Sequence, residues 1–148
     1  MIYTIVKSYG IEYAHRIHNQ EETFENDNTA LCRNIHGHSG KVKIFIESDT
    51  LYNGMVIDFT NLKIVKDYIM GYDHSIIVSI YDPELEQLRK ISDRVHILRN
   101  VTSEEIATIM FNDLKMLLEP IFEKFNPEAK LVKLKFSETN NNAITVEE

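Results

Sequence analysis

The stretch LCRNIHGHSGKVKIFIES, residues 31–48, closes on a strict alternation, with Val42, Ile44 and Ile46 set against Lys41, Lys43 and Glu47. A period of two marks a strand with one apolar face and one wet face. GKVKIFIES, residues 40–48, therefore reads as a strand. Just ahead of it stand two histidines separated by Gly37. In an extended chain residues i and i+2 project to one side, so His36 and His38 can offer two imidazoles to a single ion. Gly37 lets the backbone run close to whatever they hold.

On the N-terminal side, residues 2–15 read as a second strand. Ile5, Tyr9, Ile11, Tyr13 and His15 share one parity, and Thr4, Ser8 and Glu12 the other. Residues 19–34, NQEETFENDNTALCRN, are polar and predict a loop. On the C-terminal side TLYNGM, residues 50–55, turns the chain. TNLKIVKDYIMGYDH, residues 60–74, predicts a helix through Leu62, Val65, Ile69 and Tyr72, with Gly71 as its stop. DPELEQLRKI, residues 82–91, predicts a short helix with Asp82 as cap and Pro83 at its first position.

A longer helix begins at TSEE. Thr102 caps it, Glu105 completes the capping-box spacing, and Ile106, Ile109, Met110, Leu114, Leu117 and Leu118 form its apolar stripe. KLVKLKFSE, residues 130–138, predicts a third strand with Val132, Leu134 and Phe136 on one face. TNNNAITVE, residues 139–147, predicts a turn and a fourth strand. Paired strands separated from paired strands by helices predict an α+β fold: a four-stranded antiparallel sheet with two main helices on one face. No repeat, linker or low-complexity tract divides the chain, so one domain over residues 1–148 is the expectation.

The chain of 148 residues is long enough for a real core, and 43% apolar with 26% charged residues is a soluble composition. No apolar run approaches the roughly 20 residues of a membrane span, and the N-terminus carries no secretory pattern. With 16 basic and 23 acidic side chains the net charge is −7 and no basic block stands out, which disfavours a nucleic-acid partner. A pocket can still be locally positive, so a small anionic substrate remains open. One cysteine cannot close an internal disulfide, which fits a reducing cytoplasm.

Catalytic zinc takes three protein ligands and keeps a fourth position open. His15, ending the first strand on the face of Ile11 and Tyr13, is the natural third ligand beside His36 and His38. A histidine-bearing loop with a strand-end histidine satisfied in the fold accounts for the same residues. His18 and His96 have no partner at ligand spacing and read as structural or surface residues. Cys32 lies four positions before His36; it is either a small buried apolar group or a thiol that can act as a base beside a bound cation. Asp73 and His74 can form a pair in which the carboxylate fixes the imidazole tautomer, or can simply end a helix. Glu138 lies in phase with Val132, Leu134 and Phe136 and could accept two N–H donors from a flat heterocycle. Taken alone, it is more simply read as the point where the strand leaves the core.

The motifs AHRIH (residues 14–18), CRNIHGH (32–38), GMVIDF (54–59), YDH (72–74), NVTSEE (100–105) and SETNNNA (137–143) occur in one order. In that order the chain resembles the 6-pyruvoyl-tetrahydropterin synthase / 6-carboxytetrahydropterin synthase family, from about His15 to Ala143. The resemblance implies a tunnelling fold whose trimers close their sheets into a barrel and stack as a hexamer, with active sites between subunits. It implies zinc on His15, His36 and His38, Cys32 as catalytic cysteine, and Asp73 with His74 as its partner dyad from a neighbouring subunit. It implies Glu138 as anchor of the pterin ring, with Thr102 and Ser103 helping to hold it. Asp58 is expected to orient structure.

The implied substrate is 7,8-dihydroneopterin triphosphate. One outcome keeps the side chain as 6-pyruvoyl-tetrahydropterin; the other cleaves it to 6-carboxytetrahydropterin and acetaldehyde, towards 7-deazaguanine compounds such as queuosine. The Cys32-to-His36 spacing resembles the second type. A zinc-containing pterin scaffold without turnover is the reading from another class. Departures from the family pattern bear on pocket shape: Ile11 where an aromatic is frequent, Tyr13 where a small residue is, Gly40 in place of an aromatic, Val101 in place of a proline, and HSIIVS (74–79) without the usual Leu-Asn.

Overall fold

The computed structural model describes residues 1–20 and 31–148; the middle of the loop expected over 19–34 lies outside the described residues. Strands β1 (Tyr3–His15) and β2 (His36–Ser48) pair antiparallel along their whole lengths, from Tyr3 opposite Ser48 to His15 opposite His36. The second strand thus begins at His36, ahead of the alternation at Gly40, and both histidines of the HGH run belong to it. Strand β5 (Lys130–Ser137) pairs with β2, and β6 (Ala143–Glu147) with β5, both antiparallel.

The expected four-stranded antiparallel sheet is corrected to a six-stranded mixed one, ordered β4-β3-β1-β2-β5-β6. Strands β3 (Ser75–Ser79) and β4 (Val95–Leu98) extend it in parallel beyond β1. Among the described residues there are three α-helices rather than two main ones: α1 (Lys63–Met70), α2 (Leu85–Ile91) and α3 (Ser103–Phe125). All five residues of β3 are buried. Ile77 joins the core beneath α1 and α3, whereas Ile76 and Val78 meet Leu88 of α2 on the opposite face. A strand covered on both faces shows no alternation, so the period-of-two signal that marks β1 and β2 is absent from SIIVS.

The main core joins Ile11, Tyr13, Val42, Ile44, Ile46, Leu134 and Phe136 of the sheet to Val65 and Ile69 of α1 and Ile106, Met110, Leu114 and Leu118 of α3. Ile109 and Leu117 sit half-buried at the margin of the α3 stripe. Thr102 caps α3 as expected, its hydroxyl accepting from the Glu105 N–H at 3.4 Å. The helix predicted over 60–74 is shorter: a 3-10 turn (Phe59–Leu62) leads into α1, which ends before Gly71. Asp58 opens that turn by accepting from the N–H and hydroxyl of Thr60, each at 2.9 Å, so its role is structural. In β5, Leu131 rather than Val132 faces inward with Leu134 and Phe136. A bulge pairs Phe45 with Lys133 but Ile46 with Leu131, and the extra residue shifts the parity. Among the described residues, no helix is long and apolar enough to cross a membrane.

The size departures at residues 13 and 40 compensate each other. A Cβ at Gly40 would lie 3.0 Å from the Tyr13 ring, so the tyrosine fills the room that the glycine leaves.

Just past β1, Arg16 donates from Nε and Nη2 to the two carboxylate oxygens of Asp82, at 2.7 and 2.5 Å. The Asp82 side chain is fully buried, and its second role is to accept from the Glu84 N–H at 2.9 Å. The Arg16 hydrogen bonds hold the Asp82 carboxyl below its ordinary range. A depressed carboxylate stabilises the fold above its unfolded pKa of about 3.9, and that stabilisation is lost as pH falls through the lower folded value. Asp82→Asn is therefore expected to cost about 3 kcal/mol at pH 7 by urea unfolding. The gap to the parent should narrow as unfolding is repeated below pH 4; a gap independent of pH would exclude the ion pair as its source.

Candidate metal centre and active site

The β1–β2 register places His15 directly opposite His36, with His38 two residues along on the same side. The three rings are steeply inclined to one another: centroids of His15 and His36 are 4.6 Å apart, those of His15 and His38 5.1 Å, and those of His36 and His38 5.0 Å. One ligand nitrogen from each lies within 4.8 Å of the others.

The protons on these rings follow from their outer partners. His15 Nδ1 lies 2.8 Å from the Val101 carbonyl, and His36 Nδ1 lies 2.8 Å from the Asn34 carbonyl. A carbonyl only accepts, so each Nδ1 carries the hydrogen and Nε2 is the ring atom left to face an ion. Burial lowers the His15 pKa to about 4, which keeps this imidazole neutral at pH 7; burial lowers His38 as well.

His15 Nε2 and His38 Nε2 are 3.2 Å apart. A tetrahedral ion with metal–nitrogen bonds of 2.0–2.1 Å sets neighbouring nitrogens about 3.3 Å apart. Three imidazoles whose ligand nitrogens lie this close are a donor set for a divalent borderline metal. The cluster could hold such an ion.

A cavity of about 450 Å³ opens beside His15 and His36, lined also by Cys32, Gln20, Thr102, Ser103, Glu138 and Asn142. Cys32 is fixed through its backbone: its carbonyl accepts from the Ile17 N–H at 2.7 Å and its N–H donates to Gln20 Oε1 at 2.9 Å. Glu138, just past β5, stays within reach of the cavity. Its Oε1 lies 3.1 Å from His38 Nε2, and its other oxygen accepts from the Ser103 hydroxyl. The Tyr13 ring walls the site at 5.4 Å from His38. Its buried hydroxyl has no partner among the described residues, and burial raises that phenol well above its usual value.

The expected residues thus fall into two places. His15, His36, Cys32, Thr102, Ser103 and Glu138 share the one cavity, with His38 at its edge through Glu138. Asp73 and His74 do not join them. His74 lines a separate cleft with Glu12, His38 and Ser39. The dyad itself is made: His74 Nδ1 donates to Asp73 Oδ2 at 2.8 Å, while Asp73 Oδ1 accepts from the Glu12 N–H at 2.7 Å. The Glu12 N–H, then His74, hold the Asp73 carboxyl below its ordinary range. Arg16, beside the histidines in sequence, is taken up by Asp82. Gln20, Asn34 and Val101 support the site without a signal in the sequence, because two of the three act through backbone carbonyls, which any residue type can supply.

Three imidazoles at the ends of paired strands, beside a cavity holding a thiol and a carboxylate, form a candidate small-molecule site that could hold a metal ion on a mixed α+β sheet. The chain belongs to the 6-pyruvoyl tetrahydropterin synthase family, whose model matches residues 4–148. It is 29% identical to the 6-carboxy-5,6,7,8-tetrahydropterin synthase of Aquifex aeolicus, with 94% of each chain covered. It is 32% identical to the enzyme of the same name from Haemophilus influenzae, over 77% of this chain and 83% of that one. Among solved structures, an uncharacterised protein of Wolinella succinogenes matches with a TM-score of 0.82 at 28% identity, covering 100% of this chain and 99% of that one.

Proposed function

We propose that the protein converts 7,8-dihydroneopterin triphosphate to 6-carboxy-5,6,7,8-tetrahydropterin, acetaldehyde and triphosphate, with zinc as its metal, on the cytoplasmic route to queuosine and related 7-deazaguanines. The observation that carries this reading is the convergence of His15, His36 and His38 at a cavity that also holds Cys32 and Glu138. The names borne by the Aquifex and Haemophilus relatives support the carboxy outcome.

Zinc on the three histidines would supply Lewis acidity towards the oxygens of the substrate side chain. Glu138 accepts two N–H groups of the pterin and so delivers the side chain to the histidines, with the Ser103 hydroxyl orienting its carboxylate. Thr102 and Ser103, at the start of α3, line the same wall. Cys32 takes and returns protons at the side-chain carbons. His74 relays those protons and Asp73 fixes its tautomer. Because His74 lines a different cleft from Cys32, the dyad serves the cavity of a neighbouring copy, in a hexamer of two stacked trimers.

The family model's own name favours a second outcome, triphosphate elimination to 6-pyruvoyl-tetrahydropterin. Purified protein incubated with 7,8-dihydroneopterin triphosphate is expected to release acetaldehyde in step with substrate loss. A pyruvoyl product without acetaldehyde would replace the carboxy outcome by the second. Binding without conversion would reduce the protein to a pterin-holding scaffold.

A further inference from the structure

Residues 71–74 join α1 to β3 and carry Asp73 and His74. They are gripped from two sides. On one side stands the backbone of Glu12, whose N–H donates to Asp73 Oδ1 at 2.7 Å and whose carbonyl accepts from the His74 N–H at 2.6 Å. On the other stands Arg94, immediately before β4. Its Nε donates to the Asp73 carbonyl at 2.9 Å, and its Nη2 donates to the carbonyls of Met70 and Gly71 at 2.8 and 3.0 Å. His96 adds a contact between its Nε2 and the Gly71 carbonyl at 2.8 Å and stacks on Tyr72 with centroids 4.0 Å apart.

Between these grips His74 adopts φ +56°, and it is one of two non-glycine residues of positive φ among those described. A left-handed backbone is costly for a residue with a Cβ and persists where its surroundings over-determine it. The carbonyls that end a helix need donors, and a cationic planar fork suits them. Capping α1 would require only the Met70 and Gly71 carbonyls. Arg94 reaches further, to the peptide bond that links Asp73 to His74.

We propose that Arg94 is a positioning residue for the reaction: by tying the carbonyls of Met70, Gly71 and Asp73 together it holds the Asp73–His74 pair in the geometry in which His74 handles protons. The assignment rests on the proposed role of His74. It gives β4, which the sequence pattern does not reveal, a task at the site.

The test compares Arg94→Ala, His74→Ala and the double variant, each metal-loaded and full-length, on 7,8-dihydroneopterin triphosphate. Arg94→Ala is expected to lower kcat on the order of 10-fold to 100-fold, with KM moved less than about twofold. The double variant is expected to be no slower than His74→Ala alone, because Arg94 acts through His74; a merely structural contribution would multiply with the His74 loss. Hydrogen exchange at the His74 amide should quicken in Arg94→Ala as its bond to Glu12 loosens. A parental kcat in Arg94→Ala, or losses that multiply in the double variant, would overturn the positioning role and leave the dyad standing. A parental kcat in His74→Ala would instead overturn the dyad, and the Arg94 assignment with it. Should Arg94→Ala unfold, Arg94→Lys replaces it: one ammonium cannot span three carbonyls, so kcat should still fall, and a parental kcat there would show that charge alone suffices and end the proposal.

Discussion

A protein carrying His36→Ala is expected to lose its divalent metal and, with it, conversion of 7,8-dihydroneopterin triphosphate. His36 is one of three rings whose ligand nitrogens lie within 4.8 Å of one another, and its Nδ1 is engaged by the Asn34 carbonyl, which leaves Nε2 for the ion. Removing only an outer partner of a metal ligand typically costs 10-fold to 100-fold in affinity, so losing the ligand itself should cost more than about 100-fold. The fold should tolerate the change to within about 1 kcal/mol, because the ring is half-buried at the start of β2 and outside the apolar core. Metal analysis after gel filtration would read about one zinc per parent chain and close to none in the variant, while His18→Ala, outside the trio, keeps its metal. A full metal complement in His36→Ala would place the ion elsewhere and remove the chemical centre proposed above.

Cys32→Ala is expected to cut kcat by about 10²-fold to 10⁴-fold while zinc content and KM stay near those of the parent. The thiol lines the same cavity as His15, His36 and Glu138, and its backbone is held at both ends, by Ile17 and by the Gln20 side chain. Truncation to alanine therefore removes the proton-carrying atom without releasing the segment that bears it. Rapid-mix measurement of the chemical step separates this from slowed product release. Undiminished turnover would take the cysteine out of the mechanism, whereas joint loss of turnover and metal would make it a support for the ion rather than a base.

Much of the site could be read before any coordinates. His15, His36 and His38 share a side because parity within β1 and β2 is a local property, and the two strands need only pair in the natural register to bring the rings together. Thr102 capping α3 was legible from its spacing to Glu105 for the same reason. Glu138 was harder. Its parity was visible, but whether the chain had left the core there depended on Ser103 and His38 meeting its two oxygens. The separation of His74 from Cys32 was foreshadowed only by family resemblance, since nothing near YDH along the chain says which cavity it borders.

The alternation of β1 and β2, the helical stripes and the metal-binding residue types were therefore written in the chain itself, because periodicity depends on neighbours a few residues apart. Folding in space added strands β3 and β4, the bulge that exchanges Val132 for Leu131, the fit of the Tyr13 ring over Gly40, and the Arg94 grip on the turn before His74. Each of these depends on which distant segments pack together. A strand buried on both faces has no period to read, and a hydrogen bond to a backbone carbonyl leaves no mark on the identity of the residue that supplies it.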